Sequence, residues 1–271
     1  MPEDDDKLER LIKAGGDIAG PATGSALGFL IGGPGGAAIG GAVGVAVSKV
    51  VRDVANRVLS DREQTRVGAT VTFALAQIKS RLDSGYKLRD DGFFETKDQE
   101  RSGAEEIFEG VLLKAKNEHE EKKNRILGNI YANTAFTPDF SIGESNHLLR
   151  VAENITYRQM CTLALLYRKS DMHGIMLRST SYGYPDRIHD PIAPHETVSS
   201  LQETFDLYRL GLVVCVDKSD ESRQSIWAIT EWNDITPDSL ELTRTGQRYC
   251  HIMGLEVIPQ HELNTLAAYF S

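Results

Sequence analysis

The chain has 271 residues, of which 41% are hydrophobic, 25% charged and 7% aromatic, a globular rather than disordered or fibrous composition. Its 30 basic and 39 acidic residues leave a net charge of −9, which argues against general nucleic-acid binding. Three widely spaced cysteines, Cys161, Cys215 and Cys250, exclude a disulfide framework and a four-cysteine zinc site and fit a reducing compartment.

The opening MPEDDDKLER is acidic, whereas a secretory signal begins positive, so no export is expected. From Ile18 to Ser48 run 31 uncharged residues, bounded by Asp17 and Lys49. An uncharged run beyond ~18 residues is a candidate membrane segment. Half of the 24 glycines fall between Gly15 and Gly44. Eight of them (Gly16, Gly20, Gly24, Gly28, Gly32, Gly36, Gly40 and Gly44) stand at every fourth position, and Ser48 keeps the register. Glycines four apart strip one helix face of side chains and let two backbones approach, which matters most in lipid. In water each would cost roughly 0.8–1 kcal/mol of helix propensity, so eight imply a compensating contact.

Geometry divides the run. A four-residue step turns about 400°, so the stripe drifts about 40° per glycine and eight cannot share one face. Pro34, between two glycine pairs, is the strongest helix breaker, and a hinge there leaves each half nearly on one face. Two full spans need about 40 residues, more than the run supplies. The expected forms are therefore a helical hairpin or a kinked single helix, with a mobile loop or a hairpin buried in a soluble oligomer as alternatives. Around it, Met1–Asp17 holds six acidic and three basic side chains and Lys49–Arg66 five basic and three acidic, so a single span would keep the basic flank cytoplasmic. Neither a GxxxxGK[ST] loop nor a full dinucleotide fingerprint is present, so no cofactor is expected.

After Lys49, Val47, Val50, Val51, Val54 and Val58 recur at helical spacing. Ser60 with Glu63 predicts a capped helix to about Leu82, and a charged connector follows to Glu100 with a short ordered FFE piece. Ser102 with Glu105 predicts one long helix from Gly103 to Ala135. Its apolar face would hold Phe108, Leu112, Ala115, His119, Ile126 and Ile130, with EHEEKKNR as a solvated face. Asn146–Glu153 reads as a short helix, and Thr156 with Gln159 caps another ending near Arg168.

Beyond a proline-bearing loop, Ser179–His195, a helix is predicted from Glu196 to Leu210, then strands at VVCV and SIWAIT, a short LEL and the helix-like TRTGQRYCHIM. The fold class is thus mainly α: a glycine-zipper segment with its valine helix (1–59), a central helical bundle (60–154) and an α+β C-terminal domain (155–271). His173, Asp186, His189, Asp190 and His195 match no zinc spacing, and His119 among Glu118, Glu120 and Glu121 does not make HExxH. No GxSxG elbow occurs, and Cys161 and Cys250 sit in apolar helix patterns. Trp227 and Trp232 read as core or interface. No metal site and no enzyme is expected.

Leu210-Gly211-Leu212-Val213 and Leu240-Glu241-Leu242-Thr243-Arg244-Thr245-Gly246 resemble the helix-to-wing passage and the "LT..G" turn of winged-helix regulators. The resemblance implies a winged-helix-like domain, but residues 151–271 carry 10 basic and 16 acidic side chains, the wrong sign for phosphate contact. A protein-contact module or simple structural support is expected there instead. The layout as a whole resembles bacterial abortive-infection and antiphage effectors that join a membrane-active helical segment to a cytosolic body. The resemblance is one of architecture only; the glycine stripe itself, hinged at Pro34, leads to the expectation of a cytoplasmic homo-oligomer that reaches membrane lipid. A soluble oligomeric adaptor or atypical winged-helix regulator is the alternative.

Overall fold

The computed structural model describes residues 10–11, 13–19, 42–55, 57, 59–96, 101–172, 175–181, 194–217 and 226–271. The protein is mainly helical with one small antiparallel sheet, and it forms two compact units, 1–154 and 155–271.

Among the described residues of the first unit the helices are α1 (Gly16–Ala19), α2 (Ala42–Ala55), α3 (Asp61–Asp83), α4 (Gly103–Asn117), α5 (Lys123–Thr134) and α6 (Ile142–Asn154). Residues 10–11 and 13–14 are also helical and lead into α1. The α3 start follows from its cap: the Glu63 carboxylate accepts the Ser60 N–H at 2.7 Å and the Ser60 hydroxyl at 2.9 Å. At α4 the box is reciprocal, with Ser102 N–H donating to Glu105 and Glu105 N–H donating to the Ser102 hydroxyl. Helix α3 is rich in small buried residues, Gly68, Ala69, Thr70, Thr72 and Ala74, and α5 comes close through Gly128. A Cβ on Gly128 would lie 2.8 Å from the Thr70 carbonyl oxygen. The core between α3, α4 and α5 holds Leu75, Ile78, Ile107, Phe108, Leu112, Ile126, Leu127, Ile130 and Tyr131, all fully buried. The Phe108 and Tyr131 rings meet at 4.3 Å.

The single helix expected from Gly103 to Ala135 is two helices joined by a turn at 118–122. Glu118 leaves helical geometry (φ −72°, ψ 130°), and its carboxylate accepts the N–H groups of His119 and Glu120. Lys123 Nζ lies 2.6 Å from the same carboxylate, both side chains being under a tenth exposed, and donates to the Glu153 carbonyl at 3.1 Å. Part of the stretch read as a solvated face is therefore a buried ion pair that closes the turn. His119, expected on the apolar face, is 89% exposed.

The connector after α3 is ordered by Arg89. Its guanidinium donates to Asp91 and to the carbonyls of Thr134, Pro138 and Phe140, and it lies over the buried Phe93 ring. Hydrogen bonding to Arg89 holds the Asp91 carboxyl below its ordinary range.

In the second unit, α7 (Tyr157–Tyr167) packs against α8 (His195–Arg209), α9 (Arg244–Met253) and α10 (Gln260–Ala267). Strands β1 (Val213–Val216), β2 (Ile226–Trp227) and β3 (Leu240–Leu242) form a sheet of order β2-β1-β3, with Cys215 paired to Trp227 on one side and Leu240 on the other. Of the described residues of SIWAIT, only Ile226 and Trp227 are in the strand. Thr156 caps α7 as predicted, exchanging hydrogen bonds with Gln159 at 2.8 and 3.1 Å. Arg158 and Glu203 form a two-point pair between α7 and α8 at 2.8 and 2.9 Å. All three cysteines are buried and none forms a disulfide, and burial pushes the Cys215 and Cys250 thiols up.

Candidate functional site

The flanks of the glycine run are the parts of it that the structure describes, and both sit on the first unit. Leu11, Gly15 and Ala19 recur every four residues and are buried, and Gly15 N–H donates to the Leu11 carbonyl at 3.1 Å. This face lies on α3, where Gly15 meets Gly68. A Cβ on Gly15 would fall 2.1 Å from the Ala69 nitrogen, and one on Gly68 1.8 Å from the Leu11 carbonyl oxygen. No side chain fits between the two backbones. The glycine making this contact is one residue ahead of the predicted stripe, and Gly16 itself is only half-buried. Gly68 lies outside the run. The signal that could have found it is the small-residue cluster Gly68-Ala69-Thr70 inside a helix that otherwise reads as amphipathic.

The other flank, α2, packs on α4. Val47, Val50, Val51 and Val54 are buried as their spacing predicts, each removing roughly 1.5–3 kcal/mol worth of apolar surface from water. Val45, on the opposite side, is exposed. Lys49 reaches Glu105 at 2.9 Å, the lysine half-exposed and the carboxylate 5% exposed. Arg57 pairs with Glu109, which also takes Arg101. Gly44 is half-buried on α2. The remaining predicted positions, Gly20, Gly24, Gly28, Gly32, Gly36 and Gly40 and the hinge Pro34, lie outside the described residues. So does most of the histidine–aspartate loop, with His173, Asp186, His189 and Asp190; His195 begins α8.

Among the described residues, Glu118, His119 and Glu120 place possible metal-ligand atoms within 4.8 Å of one another. Glu118 is already engaged by Lys123 and two backbone N–H groups. Burial alone would push its carboxyl up, but the ammonium and those N–H groups outweigh burial and hold it below its ordinary range. The group explains the α4–α5 turn and gives no reason to assign a metal.

The two winged-helix-like motifs meet each other. Thr243 N–H donates to the Leu212 carbonyl at 3.0 Å. The Thr243 hydroxyl donates to the Gly211 carbonyl at 2.7 Å and accepts the Gly246 N–H at 2.9 Å. A Cβ on Gly246 would lie 2.1 Å from the Leu212 oxygen. Their residue types are thus accounted for by close packing of the α9 start on the segment entering β1.

No helix among the described residues is long and apolar enough to cross a membrane. Comparison with protein-family models, with curated proteins and with solved structures finds no match.

Proposed function

We propose that the protein is a self-assembling, membrane-active effector of the antiphage, abortive-infection kind, whose helical body holds a glycine zipper until a trigger releases it. The supporting observation is that α1 and α2, on either side of residues 20–41, are both seated on the first unit. In this reading release frees Gly16 to Gly44 to pair between protomers, bending at Pro34, and to disturb the inner membrane from the cytoplasm. Residues 155–271 serve as a winged-helix-like module for a protein partner. The action is conformational and needs no catalytic group or cofactor.

Replacing Gly24, Gly28, Gly36 and Gly40 by leucine tests the reading: toxicity and assembly should disappear, and a variant as toxic as the parent would sink it. A soluble oligomeric adaptor or atypical winged-helix regulator is the second reading, favoured by the burial of Leu11, Gly15 and Ala19 against α3 of the same chain. Fractionating cells that express the chain with and without residues 1–48 separates the two. Membrane recovery that depends on those residues supports the effector.

A further inference from the structure

Arg62, Thr65 and Arg66 of α3, His119 and Glu121 of the α4–α5 turn and Ile18 of α1 line a cavity of about 350 Å³. That volume suits a small-molecule site. The i, i+4 spacing on α3 sets the Cβ atoms of the two arginines about 5–6 Å apart, close enough to grip one anion from two points. Neither arginine has an ion-pair or hydrogen-bond partner among the described residues, and Arg66 Nε is buried without an acceptor. Three other cations of this unit are paired by contrast, Lys116 with Glu63 and both Arg57 and Arg101 with Glu109. The Thr65 hydroxyl is spent on the Asp61 carbonyl at 2.8 Å, so the two guanidinium groups, with the His119 imidazole beside them, are the side-chain donors on offer among the described residues. A buried donor lacking an acceptor is unfavourable, and the planar guanidinium fork matches phosphate oxygens.

We propose that this cavity binds the phosphate group of a small molecule through Arg62 and Arg66. Ile18 forms one wall and lies two residues before Gly20, so the ligand touches the helix that leads into the glycine run. Binding itself is independent of whether that run meets lipid.

Titration calorimetry of the full chain with inorganic phosphate, glycerol 3-phosphate and adenosine monophosphate tests for a dissolved ligand. Co-sedimentation with phosphatidylglycerol against phosphatidylcholine vesicles tests for a headgroup phosphate. The expected result is saturable binding in one arm, weakened about tenfold or more by Arg62→Gln or Arg66→Gln. Arg66→Lys should restore part of the loss, and Glu121→Gln, which removes the acidic charge among the described wall residues, should tighten binding. Arg62 and Glu121 are exposed, so their variants remain informative if Arg66→Gln does not fold. Absence of saturable binding in every arm, or full binding by the Arg62→Gln/Arg66→Gln double variant, would overturn the proposal.

Discussion

Gly15 and Gly68 meet backbone to backbone, with no room for a methyl group on either. Two opposing effects follow for Gly68→Ala. Alanine favours the α3 helix by about 0.8–1 kcal/mol, while the new methyl pushes Leu11 and Gly15 away. Hydrogen exchange followed by mass spectrometry should therefore show Leu11–Ala19 losing protection while α3 to α5 keep theirs. Unchanged protection of Leu11–Ala19 would show that α1 does not depend on this contact.

The Glu118–Lys123 pair closes the α4–α5 turn from inside. Lys123→Met should destabilise the protein by about 3–5 kcal/mol, because it strands a buried carboxylate. Adding Glu118→Gln should recover much of that loss, as read by urea unfolding at neutral pH.

The same carboxylate sets an acid limb. Its folded value is held below the ordinary 4.5, so it contributes stability above that pH and loses it as pH falls through the lower folded value. Asp91 acts in the same direction, its ordinary value being 3.8. Stability should stay level down to about pH 5 and then fall. Glu118→Gln should flatten the fall, and an unaltered slope would remove Glu118 from the account.

In the second unit Gly246→Ala should be strongly destabilising, since the methyl would fall on the Leu212 carbonyl. Thr243→Val should cost about 0.5–2 kcal/mol through loss of the α9 cap. Exchange protection of β1 and β3 in the full chain reports both.

Local chemistry made much of the fold legible. Ser60/Glu63, Ser102/Glu105 and Thr156/Gln159 announce helix starts because each cap is satisfied within four residues, and the valine spacing of α2 announces its buried face. The α4–α5 break was hidden because EHEEKKNR has good helix formers and no glycine or proline. It depends on a tertiary event, the burial of Glu118 and Lys123 beside the Glu153 carbonyl. The candidate site was half legible for the same reason. A run of glycines shows that close packing is needed but not against what, so the partnership of Gly15 with Gly68, 53 positions apart, lies beyond any local signal.

The central claim, that the helical body restrains the glycine run by its flanks, is tested most directly by dye release from phosphatidylglycerol-containing vesicles. Gly68→Val combined with Lys49→Ala loosens both seats, and Gly24, Gly28, Gly36 and Gly40→Leu can be added to the same chain. The loosened variant should release dye faster than the parent, and the added leucines should abolish the gain. Equal release by parent and loosened variant, with α1 and α2 shown by hydrogen exchange to be detached, would contradict the claim.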